Sequence, residues 1–184
     1  VKKVTDEDFI TRRIVKLIQN DISYYAMHTN YDVLGMAELA GKVLDIAHTD
    51  VLDVTQTDEV GEEKGIGRIG ELPETMTLEE CCVYVKHKLE LGSLKVFGDM
   101  NRPVRRLAIL PGSVALAKGA DVLVTGDIGH HDGLDAVEQG LAIIDAGHYG
   151  TEYIFIEDMK QFLNRKLPVL DVLTDPVEHP FQIV

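Results

Sequence analysis

Residues 121–147 read DVLVTGDIGHHDGLDAVEQGLAIIDAG, and the order of textures in them decides the fold class. DVLVTGD, 121–127, is a continuous apolar run with Asp127 at its end, the pattern of a strand covered on both faces. LDAVEQG, 134–140, reads as a short helix closed by a glycine, the residue that most easily takes the left-handed conformation past a helix end. LAIIDAG, 141–147, is a second buried strand. Strands alternating with helices predict an α/β protein with an at least partly parallel sheet.

Downstream, TEYIFIEDMKQFLNRKL (151–167) predicts one long helix and VLDVLT (169–174) a last strand. Upstream, VRRLAILPG (104–112) and SLKVFG (93–98) read as strands. Thr77 followed by Glu80 resembles a capping box opening the helix LEECCVYVKHKLEL, 78–91. Residues 51–74 mix strand-like pieces with glycines. Within them GIGRIG, 65–70, lacks the strand-then-helix context of a dinucleotide loop and reads as a turn or bulge. MAELAGKVLDI (36–46) and FITRRIVKLIQ (9–19) have helical spacing, and ISYYAMHT (22–29) reads as a strand. Ten residues, 111–120, separate two of the predicted strands. A parallel crossover usually needs about a dozen or more, so a gap in the sequence near 113/114 is expected.

The chain has 184 residues, 45% of them hydrophobic and 27% charged, the composition of a soluble globular protein. A net charge of −13 argues against duplex nucleic acid, whose phosphates call for a basic surface. No apolar run approaches the roughly 20 residues of a membrane-spanning helix, and the first residues lack the apolar segment of a signal peptide. The two cysteines, Cys81 and Cys82, are adjacent and cannot build a disulfide framework. A reducing, cytoplasmic setting is expected. The missing initiator methionine leads us to expect residues upstream of Val1.

Chemistry-bearing residues collect where apolar strands end. His148 and Glu152 lie four apart at a helix start, so both can face one cation. On spacing alone a surface hydrogen-bonded pair is the plainer explanation. His28 and Asp32 follow the run at 22–29, and Asp127, His130, His131 and Asp132 follow the run at 121–125. Side chains at i and i+1 ordinarily point apart, so one of the two adjacent histidines is expected not to serve as a ligand. Three strand ends supplying Asp, His and Glu point together to a hard or borderline divalent ion. Ligands in open α/β sheets gather at the carboxyl ends of strands.

The segments AMHTNYD, GIGRIGEL, VRRLAILPGS, DVLVTGDIGHHDGLDA and IIDAGHYGTE, in that order, resemble the Nif-three-like family, known also as GTP cyclohydrolase 1 type 2 homologues. The resemblance covers nearly the whole chain. It implies a two-lobed fold of α/β/α layers around a mixed, partly parallel sheet, with two divalent metal ions in the cleft between the lobes. It also implies a ring-like homohexamer, and residues 1–184 as a single domain without the inserted domain of longer members. Asp32, His148 and Glu152 match the family's metal positions, with Glu152 as the bridging carboxylate. His28 and His131 match histidines near the site and are assigned to orienting a water or moving a proton. A His-His ligand pair that the family carries upstream of residue 9 has no counterpart here, which again leads us to expect residues before Val1.

These features together predict a divalent-metal protein with hydrolase-type chemistry on a small-molecule or nucleotide substrate. A metal-handling or regulatory ring without catalysis is the alternative. Nitrogen and oxygen donors without thiolate admit zinc, iron, manganese, nickel or cobalt.

Overall fold

The computed structural model describes residues 4–27, 29–110, 117 and 119–177. His28 and residues 111–116, where the gap is expected, lie outside them. The chain divides into two compact units, Val1–Asn30 and Tyr31–Val184.

The first unit carries helix α1, Phe9–Gln19. Asp8 caps it, its carboxylate accepting from the amides of Ile10 and Thr11 at 2.9 Å each, which satisfies two donors that a helix start leaves unpaired. Residues 22–27, read from sequence as part of a strand, form no regular element. Ile22, Tyr24 and Tyr25 are exposed. Their β propensity is real, but propensity makes a strand only where a neighbour supplies the ladder and covers a face.

The second unit begins with the short turn α2 (Thr29–Tyr31, shared with the first unit), a π-helical turn Asp32–Met36, and helix α3, Ala37–Val43. Strands β1, Ala47–Thr57, and β2, Glu63–Thr77, form a long antiparallel hairpin. After it come helix α4, Leu78–Lys88, and strands β3, Lys95–Phe97, β4, Pro103–Ile109, and β5, Val122–Thr125. Helix α5, His130–Glu138, strand β6, Ala142–Asp145, and helices α6, His148–Glu152, and α7, Phe155–Lys166, complete the regular elements. The six strands make one sheet in the order β1-β2-β4-β5-β6-β3. Its centre, β4-β5-β6, is parallel, and both flanks are antiparallel. The expected mixed α/β sheet is present.

Period-two alternation sends the central strands to both faces. Leu107, Ile109, Val122, Val124 and Ile144 pack with Leu44, Leu78, Cys81, Val85 and Leu89 of the α3–α4 layer. Ala108, Leu110, Leu123 and Ile143 pack with Ala136 of α5 on the other face. Each fully covered leucine or isoleucine contributes about 1.5–3 kcal/mol, so the continuous apolar runs of β5 and β6 are the energetic centre of the unit. The capping box is complete: Thr77 Oγ1 accepts from the Glu80 amide at 3.2 Å, and Glu80 accepts from the Thr77 amide at 2.8 Å.

The glycines of GIGRIG lie within β2 and serve strand packing. A Cβ on Gly65 would stand 1.9 Å from the Asp53 carbonyl oxygen, and Gly67 takes φ +74. The other two departures from the sequence reading are downstream. Residues 169–174 form no strand, leaving Val169 and Leu173 exposed. The single helix expected over 151–167 is two, α6 and α7, with Tyr153 and Ile154 between them; the Tyr153 hydroxyl donates to the Leu89 carbonyl at 2.7 Å.

Candidate functional site

Strands β5 and β6 run parallel with Thr125 opposite Asp145, so their carboxyl ends open side by side. The loop after β5 turns at Gly126. A Cβ there would lie 2.6 Å from the His148 amide nitrogen, so only glycine lets the two loops approach this closely. Asp127 follows at φ +59, a left-handed conformation uncommon outside glycine and tolerated by aspartate. After β6, Gly147 at φ +72 turns the chain into α6, whose first residue is His148.

His148 sits between two carboxylates. Its Nε2 is 3.2 Å from Glu152 Oε1, and its Nδ1 is 3.6 Å from Asp127 Oδ2. The first contact is within hydrogen-bond reach; the second lies in ion-pair range but beyond a hydrogen bond. The His148 side chain is 58% exposed and that of Asp127 73%, whereas Glu152 is 32% exposed. The trio is open to solvent on the Asp127 side.

Beneath it lies Asp145, with 7% of its surface exposed. One of its oxygens accepts from the Asp127 and Gly147 amides, at 3.1 and 2.9 Å. The other accepts from the Ile128 amide at 3.2 Å and from Lys95 Nζ at 2.7 Å. Lys95 also donates to the Ile128 carbonyl at 3.0 Å.

Asp32 opens the π-helical turn. Its neighbour Tyr31 donates a hydrogen bond of 2.5 Å to Asp158 and packs its ring 6.1 Å from that of Phe155. The segment bearing Asp32 is thus tethered to α7, the helix that follows Glu152. Burial, then the bond to Asp158, raises the Tyr31 hydroxyl above its ordinary pKa, so it stays a donor at neutral pH. Gly35 permits the tether, since a Cβ there would lie 2.7 Å from the Tyr31 ring. His131 stands in the first turn of α5, its ring edge-on to His130 at 5.4 Å, so these neighbours face each other where the sequence reading had them diverge. His28 lies outside the described residues.

Two donors each about 2.1 Å from one ion stand about 3.0 Å apart at a right angle and about 3.4 Å apart at the tetrahedral angle. The 3.2 Å between His148 Nε2 and Glu152 Oε1 falls inside that interval, so the pair fits two adjacent positions on a cation. Among the described residues no group of three or more His, Cys, Asp or Glu is arranged to hold a metal ion. The fit therefore extends to a two-donor corner. Sequence reasoning placed His148 and Glu152 together, and it noted Asp127 without linking it to them. It missed Asp145 and Lys95 altogether; the available signal was an acidic residue ending a fully apolar strand.

The profile of the Duf34/NIF3 (NGG1p interacting factor 3) family matches residues 1–179. A Clostridium acetobutylicum protein named GTP cyclohydrolase 1 type 2 homolog is 32% identical over 180 residues, which is 94% of this chain and 66% of that protein. A Streptococcus pneumoniae protein of the same name is 38% identical over 163 residues, 82% of this chain and 59% of that one. The chain thus spans about two thirds or less of these relatives. Among solved structures, Staphylococcus aureus protein SA1388 superposes with a TM-score of 0.85 at 28% identity, covering 100% of this chain and 76% of that one. A Bacillus cereus protein related to NIF3 gives 0.87 at 23% identity over 100% of this chain and 80% of that one, which speaks for the fold alone.

Proposed function

Since the chain belongs to the Duf34/NIF3 family, we propose that it binds divalent metal at His148, Glu152 and Asp32 and performs metal-dependent hydrolysis. The observation that carries the proposal is the 3.2 Å separation of His148 Nε2 and Glu152 Oε1 at the mouth of two parallel strands. A bound metal pair would supply a water of lowered pKa and polarise the electrophilic atom of the substrate. The protein's own groups do the rest. With a cation in place of a proton on Nε2, Asp127, beside Nδ1, would stabilise the proton on that other nitrogen. Glu152 has two carboxylate oxygens and is assigned to both ions. The tether from Tyr31 to Asp158 fixes the segment that presents Asp32. His131 and His28 are assigned to orienting the nucleophilic water or moving its proton.

The relatives' name makes ring opening of GTP the first reaction to try. The wider substrate class is a nucleotide or ester. Metal-loaded full-length protein should turn over such a substrate, and Glu152→Gln should abolish both turnover and stoichiometric metal. Turnover that survives the substitution defeats the proposal. Elemental analysis of the purified protein would identify the ion among zinc, iron, manganese, nickel and cobalt. The same proposal includes a homohexameric ring and a cytoplasmic setting, the ring being checked by sedimentation. No helix among the described residues is long and apolar enough to cross a membrane.

A metal-handling role without catalysis draws on the 58% exposure of His148, since an open site exchanges ions readily and excludes little water. It predicts metal transfer to an acceptor protein with no turnover of any substrate.

A further inference from the structure

We infer that Asp145 is the positioning residue of this site: one buried carboxylate that holds the two strand-end loops in register and so sets the His148 ring between Asp127 and Glu152. Its consequence for metal rests on the proposal above; its structural half rests on geometry alone.

The paired part of the two strands ends at Thr125 and Asp145, with the Ala146 amide still bonded to the Thr125 carbonyl at 2.8 Å. Past that point the separation of the loops is governed by the Asp145 side chain. It takes the amides of Asp127 and Ile128 from one loop and that of Gly147 from the other. The left-handed turn at Asp127 directs two successive N–H groups to one side, the arrangement that forms a small anion-binding concavity. Here the anion is a side chain of the protein itself.

A carboxylate this buried stays charged only with donors and a compensating cation. Lys95 provides the cation, from β3, and its second bond to the Ile128 carbonyl grips the same loop by its opposite polarity. The pieces that place His148 are thereby referred to one point. Its backbone rests on Gly126, the preceding Gly147 amide is bound to Asp145, and the acid beside Nδ1 hangs from an amide bound to Asp145 as well.

Asp145→Asn is the informative change. It keeps the shape and one acceptor, but whichever way the amide lies its NH2 confronts N–H donors that the carboxylate accepted. Three measurements on the full-length protein go together: urea unfolding, cobalt(II) titration followed by visible absorption, and the imidazole nitrogen resonances that disappear in His148→Gln. Leu72→Ala, in the core at 1% exposure, serves as a variant that only destabilises. Asp145→Asn should displace the His148 ring resonances and weaken cobalt binding by about 10- to 100-fold, the usual effect of losing a support behind a ligand. Leu72→Ala should lower the urea midpoint and change neither. A folded Asp145→Asn protein with wild-type ring resonances overturns the inference, whatever its stability. If Asp145→Asn does not fold, Lys95→Met decides, because that exposed side chain can be removed with the carboxylate kept: displaced ring resonances support the inference and unchanged ones overturn it. Should the wild type take up no cobalt, the assignment of His148 and Glu152 as ligands fails, and the ring resonances still decide the role of Asp145.

Discussion

Replacing Gly126 by alanine tests how tightly the two strand ends must approach. The new methyl would lie 2.6 Å from the His148 amide nitrogen and 2.7 Å from both the Gly147 carbonyl carbon and His148 Cα. Carbon atoms in good contact stand about 3.5–4.0 Å apart, so the overlap is nearly 1 Å. All three atoms are backbone, and no rotamer change relieves it. The loops must separate, or the strands must shift in a core whose neighbours are fully buried. Overpacking of this kind costs about 1–3 kcal/mol, which for a chain of this size lowers the melting temperature by roughly 2–12 °C. The displacement also moves His148 relative to Asp127 and Glu152, so metal affinity should fall along with stability. Gly140→Ala is the matched control. Gly140 has φ +82 and open space where a Cβ would go, so its cost is conformational, about 1 kcal/mol, and it should leave the site untouched. Urea unfolding and a zinc titration on both variants give the comparison. Equal stability losses, with zinc affinity unchanged in Gly126→Ala, would refute the claim that this glycine sets the geometry of the site.

Two further outcomes follow from groups away from the site. The Glu80 carboxyl is held below its ordinary pKa by the amide and hydroxyl of Thr77, so its contribution is present above the usual carboxylate range and is lost as pH falls through the lowered value. Glu80→Gln should therefore lower the melting temperature at pH 7 and lose its effect as pH falls through the lowered value, measured by circular dichroism. Cys81 is fully buried and its thiol is pushed up to about 12, chiefly by burial. It should resist iodoacetamide at pH 8 in the native protein and react on unfolding, read by mass spectrometry.

The parts of this fold legible in sequence are those set by neighbours along the chain. The Thr77–Glu80 box and the glycine after β6 are local signals, and the apolar runs of β5 and β6 are dense enough to force burial on both faces. ISYY at 22–25, with an isoleucine and two tyrosines, and VLDVL at 169–173, with two valines and two leucines, read as strands by composition, yet neither lies in the sheet. A strand is a relation between segments, and composition does not say whether a partner is within reach. The acceptor of the Tyr153 hydroxyl is likewise distant in sequence, at Leu89, 64 positions away.

The candidate site divides along that line. His148 and Glu152 are related by one helical turn, so their 3.2 Å contact could be read from spacing. Asp127 joins them only because β5 and β6 pair in register, and Asp145 matters only because both loops then point their amides at it. An acid directly after Ala142-Ile143-Ile144 was nonetheless a usable sign. A carboxylate at the buried end of a strand must find several donors, and the donors nearest to it are the amides of the loops that begin there. Wherever parallel strands end in such an acid, the residues it gathers are also those that will flank any ligand bound at the carboxyl edge.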